Sequence, residues 1–372
     1  MKKLKVIISG GGTGGHIFPA IAIAKSLEKK VENIELLFVG AKDRMEMQKI
    51  PDAGYKIKGL WISGFQRNFS SKNLLFPFKL ISSLIRSKNI IRKFKPDLVI
   101  GTGGFASGPL LYVASKKGIP SIIQEQNSYP GITNKLLAKN VHKICVAYDN
   151  MERFFPKEKL IFTGNPIRKE ILDFLGKREE GKTFFRLNNR RITVLVVGGS
   201  LGARTINDSI NNNLKEFKKE QLNLIWQTGV FFENQAEESV KSINEKGIHS
   251  YKFIKQMDLA YAAADIIVSR AGAIAISELC YVGKPVILVP SPNVAEDHQT
   301  QNAQSLVNKN SALMVKDEES SCKLVGKIKE LAGNKHLQQQ LSRNIKKLSV
   351  TDAADRIVDL SLELLNNEIE GI

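Results

Sequence analysis

The sequence predicts an α/β protein built from two Rossmann-like domains that face each other across a cleft. Three observations lead to this prediction. The chain has 372 residues, which suits two domains better than a single core. Short β-branched runs alternate with amphipathic helical segments in both halves, a rhythm typical of parallel sheets with right-handed crossovers. A glycine-rich loop follows the first strand of each half, at 10–15 and at 198–202.

The first half begins with a strand at 4–9, and its glycine loop leads into a helix predicted from about Pro19 to Lys30. Further strands are predicted at apolar runs bounded by turn residues, namely 35–39, 97–101, 121–124, 143–147 and 160–163. The turn signal Gly164-Asn165-Pro166 follows the last of these runs. We therefore predict a first domain at 1–164 and a second at 165–350.

The second half repeats this order. A strand at 192–197 precedes the glycine loop, and a helix then extends to about Lys219. Apolar runs predict three more strands, at 222–227, 265–269 and 285–289. The tail from about 351 to 367 has the pattern of an amphipathic helix with Asp352 as its N-terminal cap. This helix could pack on either domain, including the first.

The charge of the chain favours phosphate-bearing partners. Lys and Arg total 55 against 37 Asp and Glu, a formal net charge of +18, and such a surface attracts nucleic acid, anionic lipid or phosphorylated substrates. The sequence has no aromatic RNA-binding strand, zinc spacing or basic recognition helix. Nucleic-acid binding would also leave the glycine loops without a role. We therefore predict no nucleic-acid partner.

The three cysteines, Cys145, Cys280 and Cys322, have no paired spacing, which predicts neither disulfides nor a zinc site and fits a reducing compartment. No run reaches about 18 uninterrupted apolar residues, the length that would predict a membrane span. The sequence thus predicts a soluble or peripheral protein.

The stretch 62–95 has eight Lys or Arg and no acidic residue. Two interpretations are open. Leu74, Phe78, Ile81 and Ile85 follow helical spacing, as the core face of a helix would. Three phenylalanines fall outside that stripe, and basic residues flank it, which favours contact with an anionic membrane surface instead. These phenylalanines are Phe65, Phe69 and Phe76.

The first glycine loop, 10–15, is suited to an anionic group, because glycine lets the backbone approach closely and the following helix offers N–H donors. Its spacing also satisfies G-x-G-x-x-G. A dinucleotide fold needs an acid at the end of the second strand to bind the ribose. Here that strand ends Val39-Gly40-Ala41, and Asp43 lies only beyond Lys42. A nicotinamide cofactor is therefore disfavoured.

Further polar or glycine-rich segments follow strands, where open α/β sheets bind ligands. They are 101–108, 124–127, 198–200 and 269–278. The last segment places Glu278 about one and a half helical turns past Gly272, and a carboxylate there could accept both hydroxyls of a ribose. Several such loops together predict a large polar cleft that accommodates phosphate.

In this order the segments resemble the MurG family, the glycosyltransferases that convert lipid I to lipid II in peptidoglycan synthesis. The matching segments are 11–16, 103–109, 125–127, 133–135, 164–168, 198–203, 270–278 and 297–299, so the resemblance extends over nearly the whole chain. Gln124 stands where many members have His, and we therefore assign no catalytic role to that position.

The resemblance implies a GT-B fold and an inverting transfer of N-acetylglucosamine (GlcNAc) from UDP-GlcNAc. The acceptor would be the N-acetylmuramic acid (MurNAc) 4-hydroxyl of undecaprenyl-pyrophosphoryl-MurNAc-pentapeptide. It also implies a peripheral enzyme on the cytoplasmic side of the cell membrane, and the acid-free stretch at about 62–95 is the predicted docking surface. No Asp-x-Asp occurs in the sequence, and we expect no required metal or other cofactor.

The resemblance further implies site residues. His16 and Glu125 are the two candidates for the general base, and the choice between them is open; histidine has an ordinary pKa close to neutral. The implied substrate contacts, mainly to the donor, are Thr13, Gly14, Gly15, Asn127, Arg168, Ser200, Ile254, Ala273, Ile274, Ala275, Ile276, Ser277, Glu278 and Gln299. A UDP-sugar 2-epimerase or a glycolipid glycosyltransferase would share the donor residues and differ in the acceptor.

Overall fold

The chain forms two compact units, described for residues 3–64, 74–294 and 297–370 by a computed structural model. Unit 1 comprises Met1–Ile167 with Asp352–Ile372, and unit 2 comprises Arg168–Thr351. This division lies just after the turn Gly164-Asn165-Pro166. Phe65 and Phe69, together with the basic residues Arg67 and Lys72 of the stretch 62–95, lie outside the described residues.

Strands and helices alternate along the described ranges of both units. The strands are β1 Leu4–Gly10, β2 Ile34–Ala41, β3 Ile57–Leu60, β4 Leu98–Gly103, β5 Ser121–Glu125, β6 Lys143–Val146, β7 Leu160–Phe162, β8 Thr193–Val197, β9 Asn223–Gln227, β10 Ile248–Tyr251, β11 Ile266–Ser269, β12 Val286–Leu288 and β13 Leu313–Met314.

The helices of the first half are α1 Gly14–Lys30, α2 Glu46–Asp52, α3 Phe76–Phe94, α4 Ser107–Lys116 and α5 Ile132–Leu137. Those that follow are α6 Lys169–Leu172, α7 Arg178–Phe184, α8 Arg204–Asn212, α9 Leu214–Lys219, α10 Glu233–Ile243, α11 Met257–Ala263, α12 Ala273–Val282, α13 His298–Val307, α14 Ser320–Gly333, α15 Lys335–Lys346 and α16 Ala353–Glu370.

Each unit is built on one parallel sheet. The strand order is β3-β2-β1-β4-β5-β6-β7 in unit 1 and β10-β9-β8-β11-β12-β13 in unit 2, and every described pairing is parallel. The order reverses direction beside β1 in the first sheet and beside β8 in the second. Open sheets of this kind bind ligands outside the carboxyl ends of the strands at that switch point.

The predicted strands are confirmed, and β3, β10 and β13 were missed. Two helix predictions were wrong. Helix α1 begins at Gly14 rather than near Pro19, and it includes Pro19 as its sixth residue, where proline removes one intrahelical hydrogen bond without ending the helix. The helix predicted to extend to about Lys219 is two helices, since the chain breaks helical geometry at Asn213, between α8 and α9.

The tail helix α16 belongs to unit 1, where it packs against α1. Ile357 and Val358 are fully buried in the same apolar cluster as Ile17, Ile23 and Leu27 of α1. Polar side-chain contacts lie beside this interface of α1 and α16. The Ser26 hydroxyl donates to the Asp355 carboxylate, and Lys30 forms an ion pair with Asp359. The last segment of the chain therefore completes the core of the first unit.

Helix α3 turns its apolar stripe away from the protein. Phe78, Ile81 and Ile85 are 65%, 57% and 58% exposed, and they line a shallow depression together with Arg86. The buried side of the helix instead consists of Ser83, Ser87, Ile90 and Ile91. The interpretation of the stripe as a core face was therefore wrong. Within the described residues, no helix has the length and apolar character needed to cross a membrane.

Candidate functional site

The first glycine loop lies at the switch point of the unit 1 sheet, between β1 and α1. The neighbouring strand β4 ends beside it, and the Gly11 N–H donates to the Gly103 carbonyl over 3.3 Å. Gly104 has a φ of +86°, and a Cβ there would lie 2.2 Å from the Gly11 carbonyl oxygen. Glycine is thus required for the two loops to come this close. Predicted contact residues Thr13, Gly14 and Gly15 lie on the α1 side of this junction.

A buried carboxylate fixes the glycine loop from behind. Glu46, the first residue of α2, has no exposed surface. Its Oε2 accepts from the Gly12 N–H and its Oε1 from the Ala41 N–H, each over 2.9 Å. One side chain therefore ties the loop after β1 to the end of β2. Sequence reasoning missed Glu46, and the only available signal was its position just past the carboxyl end of β2.

His16 lies in the first turn of α1, half-buried, with both its backbone and its ring held. Its carbonyl accepts from the Thr102 hydroxyl over 2.9 Å, and its Nδ1 lies 3.0 Å from Oε1 of Gln126. The ring thus lies where β1, β4 and β5 end side by side. This is the position expected of a group that acts on a ligand of the unit 1 sheet.

Glu125, the second candidate base, is 2% exposed and fully engaged. Its Oε1 accepts from the backbone N–H and side-chain amide of Asn127, at 3.0 and 3.2 Å. Its Oε2 accepts from the Gly131 N–H at 3.1 Å and from the Asn134 amide at 2.8 Å. A carboxylate has about four acceptor positions, so these donors use all of them. Glu125 holds the loop between β5 and α5 and positions Asn127.

In unit 2, the loop after β8 exposes Ser200, and Gly199 has a φ of +95° that favours glycine. Gln227, at the end of β9, fixes this loop. Its Nε2 donates to the Gly199 carbonyl over 3.0 Å, and its Oε1 accepts from the Ile254 N–H over 2.9 Å. Gln227 therefore links two predicted contact segments. Because the Ile254 side chain is 4% exposed and its N–H is bonded, its carbonyl is the group suited to a ligand.

Helix α12 begins immediately after Gly272, at the loop that follows β11. The N–H groups of Ala273, Ile274 and Ala275 belong to the first turn of the helix, where they have no partner within the helix and suit an anion. The Ile276 N–H donates to the Gly272 carbonyl over 2.9 Å, and its side chain is 2% exposed. A ligand contact from Ile276 could therefore involve neither its side chain nor its N–H.

The remaining polar contacts predicted in this unit hold local structure. The Ser277 hydroxyl donates to the Ala273 carbonyl over 3.0 Å, within α12. The Gln299 Oε1 accepts from the Ser291 N–H over 2.9 Å, which joins α13 to the segment after β12. The Gln299 amide nitrogen is a second polar group on the same side chain that could donate to a ligand.

Arg168 and Glu278 form a bidentate ion pair within unit 2. Arg168 Nε donates to Glu278 Oε1 over 2.6 Å, and Nη2 donates to Oε2 over 2.9 Å. The Tyr261 hydroxyl also donates to Oε2, over 3.4 Å. Burial opposes the charge of Arg168, but the hydrogen bonds and charge of Glu278 outweigh it and raise the pKa of Arg168. The two predicted donor contacts are thus in direct contact with each other.

A second arginine fixes the loop ahead of α12. Arg270 donates to the Val289 carbonyl at 3.1 Å and to the Pro290 carbonyl at 3.2 Å, and it also pairs with Asp317. The Thr205 hydroxyl donates to the same aspartate over 2.6 Å. These contacts join the carboxyl ends of β11 and β12 to the start of α8. Among the described side chains, no group of three or more His, Cys, Asp or Glu is placed to hold a metal ion.

Two family models match this chain, one over each of the two sheets. Residues 6–146 match the model of the glycosyltransferase family 28 N-terminal domain, and residues 193–357 match that of the family 28 C-terminal domain. The two matches fall on the two sheets. The three segments around His16, Gly103 and Glu125 fall within the first match, and those around Ser200 and Glu278 fall within the second.

Two curated relatives are similar over their full length. One from Christiangramia forsetii is 53% identical over 98% of this chain and 99% of its own. One from Flavobacterium psychrophilum is 52% identical over 99% of this chain and 100% of its own. Both are named UDP-N-acetylglucosamine–N-acetylmuramyl-(pentapeptide) pyrophosphoryl-undecaprenol N-acetylglucosamine transferase.

Solved structures share the architecture. The crystal structure of MurG from Acinetobacter baumannii matches with a TM-score of 0.79 and 27% identity, covering 97% of this chain and 100% of that one. A UDP-GlcNAc 2-epimerase from Neisseria meningitidis matches with a TM-score of 0.66 at 14% identity over 97% of this chain and 100% of that one, a likeness of fold alone. The chain therefore belongs to glycosyltransferase family 28 and, within it, to the MurG family, and it has the GT-B fold.

Proposed function

We propose that this chain transfers GlcNAc from UDP-GlcNAc to the MurNAc 4-hydroxyl of undecaprenyl-pyrophosphoryl-MurNAc-pentapeptide, inverts the anomeric centre and so produces lipid II for peptidoglycan synthesis. The observation that carries this proposal is identity of 53% to a transferase of that name, over 98% of this chain. The glycine loops and polar side chains at both switch points support it, because they provide sites for a nucleotide sugar and for a second phosphorylated substrate.

Unit 2 binds the donor. Arg168 keeps donors beyond the two used on Glu278, since a guanidinium has five N–H groups. Together with the N–H groups at the start of α12, Arg168 is suited to bind the diphosphate of UDP-GlcNAc. Negative charge develops on this diphosphate during transfer, and hydrogen-bond donors stabilise the transition state most where such charge develops. Glu278 would accept from the ribose, and the Ile254 carbonyl would accept from the base.

His16 acts as the general base, and Glu125 positions Asn127. The acceptor hydroxyl gives its proton to the His16 ring while its oxygen forms a bond to C1 of GlcNAc. The bond from C1 to the diphosphate oxygen breaks, and its electron pair leaves with UDP. Glu125 is the weaker candidate because four donors already occupy its carboxylate, and protonation would break at least one of those hydrogen bonds.

A radiolabelled donor assay tests the activity. We expect UDP and a labelled polyprenyl product only when both UDP-GlcNAc and lipid I are present. Release of UDP with a 2-epimerised sugar, in the absence of lipid I, would instead identify an epimerase. Transfer to a diacylglycerol or another glycolipid but not to lipid I would identify a different acceptor class. Either result would overturn the proposal.

The enzyme docks on the cytoplasmic face of the membrane through the outward stripe of α3. The exposed apolar residues Phe78, Ile81 and Ile85 support this proposal, as do the basic Lys79 and Arg86 on the same helix. A polyprenyl acceptor requires the enzyme to reach a bilayer. Each Lys or Arg near an anionic surface contributes about 1 kcal/mol, so a few suffice for reversible binding when apolar side chains also insert.

Sedimentation with vesicles tests the docking surface. We expect the protein to pellet with phosphatidylglycerol vesicles at low salt and less with phosphatidylcholine. Phe78→Gln with Ile81→Gln should weaken binding, and Lys79→Gln with Arg86→Gln should reduce its salt dependence. Leu175→Gln with Phe231→Gln is the matched control, because these unit 2 side chains are 68% and 85% exposed. Equal pelleting of all variants would show that α3 is not the docking surface.

A further inference from the structure

A row of three side-chain amides lies behind His16 in unit 1. Asn165, Gln124 and Gln126 are 2%, 0% and 1% exposed. Gln124 Nε2 donates to Asn165 Oδ1 over 2.8 Å, and Gln126 Nε2 in turn donates to the side-chain oxygen of Gln124. Gln126 Oε1 then faces His16 Nδ1 at 3.0 Å. The row therefore connects the end of β7, through β5, to the imidazole.

Backbone carbonyls fix the direction of this row. Asn165 Nδ2 donates to the Gln126 carbonyl over 3.0 Å, so Asn165 must present its oxygen to Gln124. Gln124 consequently presents its own oxygen to Gln126. Gln126 Nε2 also donates to the Thr102 carbonyl over 2.8 Å and lies 3.2 Å from the Gln124 carbonyl. Every partner of Gln126 Nε2 is an acceptor. A flipped Gln126 amide would therefore place its own oxygen against these acceptor oxygens.

The consequence reaches the histidine. Because Gln126 presents an oxygen, Nδ1 of His16 has to be the protonated nitrogen, and in the neutral ring the lone pair is then on Nε2. Two other histidines are held in the opposite tautomer. His142 Nδ1 accepts from the Ser121 N–H over 3.1 Å, and His249 Nε2 lies 3.4 Å from the Arg186 carbonyl. Both contacts require the proton on Nε2.

We propose that Gln126, oriented by Gln124 and Asn165, is a positioning residue that holds His16 in its Nδ1–H tautomer with Nε2 as the proton-accepting atom. The assignment of Nε2 as the catalytic base rests on the proposed function, whereas the tautomer itself does not. The same geometry gives Gln124 a role, although the resemblance assigns none to it: its oxygen sets the orientation of Gln126.

Gly103 gives the ring room for this contact. Its φ is +93°, and a Cβ at that position would lie 2.8 Å from His16 Nδ1 and 3.6 Å from Gln126 Oε1. Any larger residue would therefore push the imidazole away from the amide. Gly103 at the end of β4 and the row of three amides thus both act on Nδ1 of His16.

Nitrogen-15 NMR of the histidine rings tests the tautomer in the resting enzyme. Two-bond ¹⁵N–¹H spectra are recorded at about pH 8.5, well above the ordinary histidine pKa. A His16→Gln variant identifies the His16 signals by their loss, and His142 is the internal Nε2–H reference. We expect His16 alone of the three to show the Nδ1–H pattern. An Nε2–H pattern at His16 would overturn the proposal.

One substitution tests the role of Gln126. Gln126→Met removes both hydrogen-bonding groups at similar volume. We expect Met to give a mixture of tautomers and to lower kcat by about 10- to 100-fold, the loss found when the partner that orients a metal-ligating histidine is removed. Donor KM should hardly change.

Two outcomes would contradict the role: an unchanged tautomer in Gln126→Met, or an unchanged kcat with a changed tautomer. If Gln126→Met does not fold, the wild-type spectrum still decides the tautomer. Failure of the proposed function is separable, because it would abolish transfer to lipid I without altering the NMR pattern of the resting protein.

Discussion

Glu278 offers a prediction that the structure makes quantitative. Its carboxylate has about four acceptor positions, and Arg168 and Tyr261 occupy three of them. Burial and the adjacent carboxylate raise the pKa of Tyr261, so its hydroxyl keeps its proton and remains a donor at neutral pH. One position is left for a ribose hydroxyl while the ion pair holds.

Glu278→Gln is the suitable perturbation. It keeps the volume of a side chain that is 4% exposed but removes the charge. Loss of a hydrogen bond to a charged group costs about 1.5–3 kcal/mol, so the Kd for UDP should rise about 10- to 150-fold. The free energy of unfolding should fall by about 1–3 kcal/mol. This is less than for a fully buried pair, because the Arg168 side chain is 35% exposed.

Titration calorimetry with two ligands separates the roles of the carboxylate. If Glu278 accepts from the ribose, the loss of affinity should be present for UDP and absent for 2′,3′-dideoxyuridine diphosphate. Glu237→Gln is the matched control, since that carboxylate is 59% exposed in the same unit. Equal losses for both ligands would mean that Glu278 acts only by orienting Arg168 on the diphosphate. No loss for either ligand would remove Glu278 from the site.

Four further predictions follow from the same structure. His16→Ala should lower turnover by about a hundred- to ten-thousandfold with little change in donor KM; a loss confined to acceptor affinity would make His16 a binding residue and Glu125 the leading base. Glu46→Gln should lower the free energy of unfolding by about 1–3 kcal/mol, because one buried N–H, of Gly12 or Ala41, loses its acceptor; an unchanged melting curve would contradict the anchoring role. Burial raises the pKa of the Cys145 and Cys280 thiols to about 12, so at pH 8 a disulfide reagent should label only the exposed Cys322 quickly, and all three thiols after unfolding. Transfer should persist after dialysis against EDTA, and restoration of a lost activity by Mg²⁺ or Mn²⁺ would show that a metal is required.

The sequence predicted the parallel sheets and the loops at their carboxyl ends because both depend on local patterns. Apolar runs of four to six residues and glycines at strand ends are visible without any tertiary contact. Of the strands that were missed, β3 and β10 contain polar or glycine residues and so form no apolar run, and β13 has only two residues. All three lie at the edges of their sheets, where little apolar sequence is needed.

Periodicity failed at α3 for a different reason. Apolar residues at helical spacing identify one face of a helix, but they do not say what that face contacts. Here the face with Phe78, Ile81 and Ile85 is exposed, and the protein-facing side relies on the small residues Ser83 and Ser87. The membrane interpretation, which rests on the absence of acidic residues from the stretch, stays a prediction.

The residues that organise the site were largely invisible in the sequence. Glu46 and Gln227 act on glycine loops 34 and 28 residues away, and Gln126 contacts His16 across 110 residues. A single Glu or Gln has no recognisable motif, and its role depends on which strands become neighbours. Sequence reasoning therefore proposed groups for ligand contact, which stay predictions, and it did not find the groups that hold those groups in place.

The return of α16 to unit 1 has a consequence for how the protein is made. Residues 168–351 form a continuous unit inserted into a discontinuous one, so on the ribosome the second unit can fold as soon as it emerges. The first unit must wait with its α1 groove open until Ile357 and Val358 arrive to fill it. Residues 168–351 expressed alone should therefore give a stable nucleotide-binding fragment. Residues 1–167 expressed alone should need the peptide 352–370, added in trans, to stay in solution.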